Sequence, residues 1–371
     1  MLGAQIQLIN GILAAPPLEK IQSLRTERLE DGKNKSTDKI YSHQPVMDLE
    51  ILDNLKGYTS AFMDPVLWTP YVRSVCQKHN LAPANTVRPG LAGTCPTFVV
   101  DERWVVKFFG RLFDGGTSFA VERLCASLAQ AYQPFPIPEL LAWGEMLPDE
   151  PWRWPYLIFE FIPGKSLGEV LPQMSQSTRQ KIAGWLGEAV KNLHDIPLDS
   201  LAQAILPAQD SIKANSRLSG SRRQLEWRKF PQSWIPYLDE FLVATDYLDE
   251  EPWPRHLIHA DLTRDHILGF MENRSWTTRA VIDFGDALVG SLDYELAVIH
   301  LDIFQGNTFL LKTFIKRYGL EQSEYAQFPF RMMRTALLHQ FNLFEPFSGV
   351  HPVSSFQDFE AVALSLWNIT S

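Results

Sequence analysis

Hydrophobic and polar positions divide the chain into a strand-rich front part and a helical back part. Residues 48–80 carry apolar side chains at helical spacing, and Asn80 is a typical helix stop. Two β-rich runs follow, PTFVV and RWVVKFF, and the short acidic turn between them predicts a β-hairpin. Residues 118–132 return to helical spacing, and apolar runs at 140–146 and 155–162 predict two more strands. The pattern therefore predicts a small mixed lobe of order β-β-β-α-β-β.

Beyond Pro163 and Gly164 the pattern is mainly helical, with a clean helical period over 179–196. A strand-rich island interrupts it at 256–284, and residues 293–371 return to helical spacing. Strands collect at the front and helices at the back, so the predicted fold class is α+β with two lobes. The predicted organisation is a flexible N-terminal extension (1–46), a first lobe with a helical preface (47–162) and a helical second lobe (163–371).

Composition narrows the classes of protein. The 371 residues are 45% hydrophobic and 12% aromatic, which excludes a disordered chain, and no window of 18 apolar residues predicts a membrane span. The net charge of −9 disfavours non-specific binding to polyanions such as nucleic acids and anionic lipids. We therefore expect neither nucleic acid nor a membrane as partner. Three cysteines without CxxC spacing, and an N-terminus without a basic segment, indicate a cytoplasmic protein and no signal peptide.

Two short apolar strands end in acids. The run LIHADL carries Asp261, and the run RAVIDFG carries Asp283. Their separation of about 20 residues suits a hairpin that places both carboxylates at one end. Paired carboxylates can bind Mg²⁺ and position a hydroxyl. The alternative interpretation is two acids that only cap turns.

A lysine and a glutamate form a third candidate pair. Lys107 lies within the apolar strand WVVKFF, and Glu122 lies 15 residues later on the next predicted helix. A strand lysine paired with a helix glutamate is a device for holding nucleotide phosphates. Taken alone, a surface lysine is an equally simple interpretation. The loop with Gly90 and Gly93 ahead of the hairpin is also a weak signal by itself.

The order of these parts resembles a kinase-like phosphotransferase. Four boxes of the sequence resemble those of the aminoglycoside phosphotransferase and choline kinase superfamily over about residues 80–320. The boxes are His259-Ala260-Asp261 with His266 five places later, Ile282-Asp283-Phe284-Gly285-Asp286-Ala287, Glu160-Phe161-Ile162-Pro163-Gly164, and Leu193-His194-Asp195-Ile196-Pro197. The resemblance implies a two-lobed protein-kinase-like fold that binds a nucleoside triphosphate and transfers its γ-phosphate to a hydroxylated acceptor.

The resemblance also implies roles for particular residues. Asp261 is the expected catalytic residue, and Asp283 and His266 are the expected ligands of Mg²⁺ or Mn²⁺. The phosphate donor, ATP or GTP, is expected to lie against residues of the first lobe and the hinge. These residues are Gly90, Gly93, Thr94, Lys107, Glu122, Glu160, Phe161 and Ile162.

One departure leaves the function open. His266 occupies the place of the usual Asn, and imidazole is a poor replacement for an oxygen ligand of Mg²⁺. A pseudokinase that binds nucleotide without turnover is therefore one alternative. The same variant resembles the aminoglycoside kinases that phosphorylate a 2″-hydroxyl, which favours activity. A second alternative is a kinase of a hydroxylated protein or amino acid, because residues 48–80 resemble segments that precede kinase-like modules in chains with JmjC-type oxygenases.

Overall fold

The computed structural model describes residues 49–81, 83–91, 93–210, 230–249, 254–321, 327–347 and 353–369. The N-terminal extension predicted over 1–46 lies outside these residues. The described chain divides into two units. The first comprises 49–116 and 140–161, and the second comprises 117–139 with 162–369.

Helices open the first unit. Helix α1 spans Leu55–Ala61 and α2 spans Pro65–Lys78. Each has an N-cap side chain, since Asn54 accepts from the amide of Gly57 at 2.9 Å and Asp64 accepts from the amide of Val66 at 2.8 Å. Soon after α2 the chain reaches Asn80, whose φ of 57° lies in the left-handed region. The helical preface and its predicted stop at Asn80 are thus confirmed.

A five-stranded antiparallel sheet completes the first unit, with strands in the order β1-β2-β3-β5-β4. The strands are β1 Val87–Pro89, β2 Thr97–Val100, β3 Trp104–Phe108, β4 Leu140–Glu145 and β5 Pro155–Glu160. The predicted hairpin is the β2–β3 pair, and its acidic turn places Asp101 and Glu102 at a φ of 51°. The predicted order of elements along the chain, β-β-β-α-β-β, is confirmed.

The core of the first unit lies between α2 and one face of this sheet. Trp68 of α2 has no exposed surface, and its ring lies 4.7 Å from that of Phe108 and 5.3 Å from that of Trp154. Side chains alternate along a strand, so Val106 and Phe108 point into this core whereas Lys107 lies on the opposite face. The residues on either side of Lys107 along the strand therefore face the core, whereas Lys107 faces the other side of the sheet.

The second unit is mainly helical, as predicted. Its helices are α3 Gly115–Tyr132 (from residue 117 onward), α4 Leu167–Val170, α5 Gln176–His194, α6 Ser200–Ile205, α7 Ile235–Ala244, α8 Leu292–Val298, α9 Thr308–Tyr318, α10 Phe328–Leu337 and α11 Phe356–Trp367. Val121 and Cys125 of α3 are buried in the core of this unit. The sequence assigned this helix to the first lobe, and the lobe boundary at 162 stays a prediction. Among the described residues, no helix is both long and apolar enough to cross a bilayer.

Two small sheets interrupt the helices of the second unit. Strands β6 Lys165–Ser166, β8 Ile267–Glu272 and β9 Ser275–Val281 form one, in the order β6-β8-β9, and β7 His256–Ile258 pairs with β10 Leu288–Gly290. The predicted hairpin between the strands that carry Asp261 and Asp283 is therefore wrong. The chain between these acids forms its own hairpin, β8–β9, whose turn holds Asn273 and Arg274 at positive φ. A two-residue turn of this kind closes a far shorter loop than the predicted pairing would.

Candidate active site

The loop after β7 presents Asp261. Ala260 has a φ of 65°, and this left-handed residue turns the chain out of the strand direction. The preceding His259 is fully buried, and its Nε2 lies 2.9 Å from the carbonyl oxygen of Ile282. Burial lowers the pKa of His259 to about 4, and the neighbouring His266 acts in the same direction. A neutral His259 therefore donates to a backbone carbonyl and joins this loop to the segment that carries Asp283, as expected of a structural residue.

His266 lies between the two predicted functional acids. Its Nδ1 is 3.7 Å from Oδ2 of Asp261, and its Nε2 is 3.7 Å from Oδ2 of Asp283. Nδ1 is also 2.6 Å from the backbone carbonyl of Asp261, which can only accept a hydrogen bond. His266 could bind a cation only in its neutral form, in which the proton would sit on Nδ1 toward the Asp261 carbonyl and the Nε2 lone pair would face Asp283. A lone-pair nitrogen and a carboxylate oxygen at this distance have the chemistry of a divalent-cation site.

The segments before and after Asp283 fix its position. The amide of Ile282 donates to the carbonyl of His266 at 3.0 Å, which aligns the two segments. Asp283 itself has a φ of 67° and a ψ of 64°, so the chain turns sharply at the acid. Phe284 then anchors the loop, because it is buried and its ring lies 4.5 Å from that of His259. The carboxylate of Asp283 is therefore attached to a turn that its neighbours hold in place.

Asp261 sits in a strongly perturbed electrostatic environment. Burial raises its pKa to about 7, His266 opposes this rise, and the charges of Asp286, Asp283 and Asp302 add to it. A carboxyl group with a pKa near neutral can take a proton from a hydroxyl that it orients. A cation bound next to Asp283 would offset part of this effect, since it would compensate the neighbouring negative charges.

Two acids at this loop were missed by the sequence analysis. Oε2 of Glu295 on α8 accepts the amide hydrogen of Ala260 at 2.9 Å. Oδ1 of Asp302, in the π-helical turn Ile299–Ile303, accepts the amide hydrogen of Arg264 at 2.6 Å. Glu295 lies in the run Ser291-Leu292-Asp293-Tyr294-Glu295-Leu296-Ala297, which resembles a degraded form of the family's later DPxxDLA box and so offered a signal. Asp302 lies in an apolar helical run that offered none.

Glu122 lies beside the loop of Asp283 within the second unit. It is buried, and a Cβ atom added to Gly285 would lie 3.5 Å from Oε2 of Glu122 and 3.6 Å from Oδ1 of Asp283. Lys107 belongs to the first unit, where it is buried opposite Thr97 and Leu157. The Lys107–Glu122 pair stays a prediction.

The remaining predicted nucleotide residues are in or beside the first sheet. Gly90 approaches β2 so closely that a Cβ atom would lie 2.9 Å from Cγ2 of Thr97. Thr94 accepts at its carbonyl a hydrogen bond from the hydroxyl of Tyr58, and Gly93 is exposed. The structure brings Gly90 against Thr97 of the β2–β3 hairpin, and the role of this loop in binding stays a prediction.

The predicted hinge residues follow β5. Glu160 is the exposed last residue of β5, opposite Trp104. The amide of Phe161 donates to the carbonyl of Arg103 at 2.9 Å, which continues the strand pairing by one residue. Ile162 is the first residue after this segment in the second unit. The hinge residues follow an apolar strand, as the sequence predicted. Their contact with a nucleotide base stays a prediction.

A family comparison identifies the kind of protein. The model described as "Phosphotransferase enzyme family" (APH) matches residues 96–329, which is more than half of the chain. The chain belongs to this family. Asp261, His266 and Asp283 all lie within the matched region of the phosphotransferase.

Solved structures of similar fold support the assignment. APH(2″)-IIia in complex with GDP and kanamycin is 18% identical, with 72% of this chain and 86% of that chain covered and a TM-score of 0.57. A choline/ethanolamine kinase family protein from Mesorhizobium loti is 13% identical, with 80% and 92% covered and a TM-score of 0.50. At these identities the likeness shows the fold, and the predicted kinase-like α+β class is confirmed.

A curated relative matches a smaller part of the phosphotransferase. The lysine-specific demethylase JMJ21 of Arabidopsis thaliana is 25% identical over 205 residues. The match covers 45% of this chain and 22% of the relative. The alignment thus reaches about a fifth of the length of that protein.

Proposed function

We propose that the protein transfers the γ-phosphoryl group of a nucleoside triphosphate to a hydroxyl of a small molecule. The observation that carries this proposal is the convergence of Asp261 and Asp283 on the two sides of His266, with 3.7 Å on each side. Asp261 orients the acceptor hydroxyl and takes its proton as the new O–P bond forms, while the bond to the leaving diphosphate breaks. Most of the rate then comes from positioning and charge stabilisation.

Residues of the first unit, together with Glu122 and Ile162 of the second, are proposed to bind the phosphate donor. Lys107 contacts the phosphates, Glu122 holds Lys107, and the loop with Gly90, Gly93 and Thr94 covers the phosphates. Backbone groups of 160–162 bond the base. Support comes from the buried position of Lys107 on β3 and from neighbours of like fold whose complexes hold GDP, ADP or ATP. ATP and GTP are both candidate donors.

Asp283 and His266 would hold the divalent cation, Mg²⁺ or Mn²⁺. Their donor atoms fit, because a neutral His266 that donates from Nδ1 to the carbonyl of Asp261 would present the Nε2 lone pair toward Oδ2 of Asp283. In the part of the chain that the structure describes, no group of three or more His, Cys, Asp or Glu side chains is placed to hold a metal by itself. Magnesium sites of phosphotransferases usually combine one or two protein ligands with substrate phosphates. When bound, the cation would neutralise charge on the transferring phosphoryl group.

The test is release of nucleoside diphosphate by the purified full chain with ATP or GTP, Mg²⁺ and a panel of acceptors that includes kanamycin, spectinomycin and choline. Asp261→Asn should lower kcat by about 10²- to 10⁴-fold and leave nucleotide binding nearly intact. Asp265→Asn is the matched control, since this exposed acid of the same loop accepts a hydrogen bond from the hydroxyl of Ser166 at 3.1 Å. Turnover by the Asp261→Asn protein at the wild-type rate would contradict the proposed role.

A second candidate acceptor is a hydroxyl on a protein or an amino acid. The match to a relative named a lysine-specific demethylase favours it, because the helical preface also resembles segments that accompany oxygenases. Adding hydroxylysine and hydroxyproline to the acceptor panel separates the two acceptors. A pseudokinase would bind ATP without a divalent cation in calorimetry and would release no diphosphate with any acceptor.

A further inference from the structure

The ring of His339, which follows α10, is held in one protonation form by its surroundings. The backbone amide of Phe341 donates to Nδ1 of His339 at 3.2 Å, so Nδ1 must carry a lone pair. Burial lowers the pKa of His339 to about 3, so the ring is neutral near pH 7. The single proton of this neutral ring therefore sits on Nε2, which makes Nε2 a hydrogen-bond donor.

That donor has no acceptor within the described part of the chain. Nε2 of His339 is buried, and none of the described residues accepts a hydrogen bond from it. Nε2 of the neighbouring Gln340 is buried as well, and no described residue is its partner. Folded proteins pair nearly all of their buried polar groups, so each exception calls for a functional explanation. Here two exceptions are adjacent in the sequence.

The two donors lie beside the loop that presents Asp261. The ring of His339 stacks on that of Tyr294 with centroids 4.0 Å apart, and the amide of Gln340 donates to the Tyr294 hydroxyl at 3.3 Å. Tyr294 belongs to the buried cluster that contains Ala260, the residue directly before Asp261. One aromatic ring therefore separates the donor of His339 from the backbone of the candidate catalytic loop.

The charges near this cluster limit the kind of atom that the donors can bind. Burial raises the pKa of Tyr294, and the negative charges of Asp286 and Asp261 add to that rise. These acids would repel a carboxylate or phosphate group of a bound molecule, and an ammonium group has no lone pair to accept from the donors. A neutral hydroxyl or carbonyl oxygen satisfies both conditions.

The segment that carries the donors reaches the protein surface. Phe341 is 36% exposed, and its ring lies 5.6 Å from that of His339. The region matched by the family model ends at residue 329, before this segment. The chemistry of His339 and Gln340 is therefore a feature of this chain and not of the matched family region.

We propose that His339 is a specificity-determining residue for the acceptor, whose Nε2–H binds a neutral hydroxyl or carbonyl oxygen of the molecule that Asp261 orients. Gln340 supplies a second donor to the same molecule. The inference rests on the proposed function and names its acceptor class. The acceptor carries a second, uncharged oxygen besides the hydroxyl that receives the phosphoryl group, as a polyol or a hydroxylated carbonyl compound does.

Two substitutions at His339 separate the donor from the ring. His339→Phe keeps an aromatic ring against Tyr294 and has no donor, whereas His339→Gln loses the ring and keeps an N–H group. With ATP and Mg²⁺ and with spectinomycin or myo-inositol as acceptor, we expect His339→Phe to raise the acceptor KM by about 3- to 10-fold, the effect of one neutral hydrogen bond. The KM for ATP should not change, and His339→Gln should stay closer to the wild-type acceptor KM. An acceptor KM that His339→Phe leaves unchanged would overturn the proposal.

Choline is the matched control molecule, because its only oxygen is the hydroxyl that would receive the phosphoryl group. The effect of His339→Phe on acceptor KM or Kd should therefore be absent for choline. An equal loss of affinity for choline and for the other two acceptors would show a packing defect and would contradict the proposal. Melting temperatures of both variants identify a defect in folding.

A readout without turnover distinguishes this proposal from the proposed function. Nuclear magnetic resonance of the full chain with ¹⁵N-labelled histidine, ADP and Mg²⁺ should show His339 protonated on Nε2 at pH 7. Its signal should shift when spectinomycin or myo-inositol is added and should not shift with choline. Protonation on Nδ1, or no shift with either oxygen-rich compound, would overturn the inference. A shift without any diphosphate release would support the binding site and place the failure in the proposed function.

Discussion

Nε2 of His266 lies 3.7 Å from Oδ2 of Asp283, and Nδ1 of the same ring lies 2.6 Å from the carbonyl oxygen of Asp261. The asparagine that usually occupies the position of His266 in this motif would present an amide oxygen instead. As a proposed ligand, His266 would therefore shift the expected metal preference of the site toward softer ions.

The first prediction follows from that ligand. Diphosphate release should be at least as fast with Mn²⁺ as with Mg²⁺, because imidazole favours the softer ion. His266→Asn should retain activity and shift the preference toward Mg²⁺, since an amide oxygen is the harder ligand. Asp283→Ala should abolish turnover with both ions. A wild-type preference for Mg²⁺ that His266→Asn leaves unchanged would show that His266 does not contact the metal.

Lys107 gives a second prediction. Its buried position on the face of β3 opposite the core fits a group that contacts phosphates, so Lys107→Met should raise the KM or Kd for ATP. Lys165→Met is a suitable control, because Lys165 also lies in a strand but is exposed. Calorimetry with ATP and Mg²⁺ measures the nucleotide affinity of each variant. Equal nucleotide affinities for the two variants and the wild-type protein would show that Lys107 has another role.

The sequence predicted the chain order β-β-β-α-β-β of the first lobe because β-rich runs and the acidic turn between two of them are local signals, and the structure places Asp101 and Glu102 in that turn. It also brought Asp261, His266 and Asp283 into one site through the motif spacing. It paired the wrong strands around them, because the β8–β9 turn at Asn273 closes a shorter loop. Local periodicity carries no information about which distant strand completes a pair.

Glu295 shows the other limit of sequence reasoning. Within its helix it resembles any acid near a helix start, and only the fold reveals that its carboxylate reaches the amide of Ala260. Asp302 reaches Arg264 in the same way from a π-helical turn that no residue pattern predicted. Contacts between residues more than 30 positions apart depend on how helices pack, which periodicity does not specify.

A third prediction concerns the dependence of stability on pH. Burial lowers the pKa of His300 to about 4 and that of His339 to about 3, although the carbonyl of Leu366 opposes the shift at His300. Between about pH 6.5 and these values the unfolded chain binds more protons than the folded one, so acid favours unfolding. We expect the free energy of unfolding to be fully present near pH 7 and to fall toward pH 4, by up to about 1.4 kcal/mol per pH unit and histidine.

Urea unfolding between pH 7 and pH 5 checks this prediction. His300→Gln keeps a side-chain N–H to donate to Leu366 and cannot titrate, so its stability should fall less steeply than that of the wild-type protein. The same pH slope in both proteins would show that the pKa of His300 is not lowered by folding.

The last prediction compares two glycines of one helix. Gly184 and Gly187 both lie buried in α5, which packs against α9. At Gly187 a Cβ atom would lie 2.5 Å from the carbonyl oxygen of Phe314 and 3.0 Å from the amide nitrogen of Tyr318, so the two helices would have to separate. At Gly184 the nearest atom to an added Cβ is Cγ of Arg317 at 3.6 Å, which is an ordinary contact.

The two alanine substitutions should therefore have opposite signs. Gly187→Ala should lower the free energy of unfolding by about 1–3 kcal/mol or more through overpacking against backbone atoms. Gly184→Ala should raise it by about 0.5–1 kcal/mol, because alanine loses less conformational entropy in a helix. Urea midpoints at constant m-value measure both changes. Equal stabilities of the two variants would mean that α5 and α9 do not approach as closely at Gly187 as the structure places them.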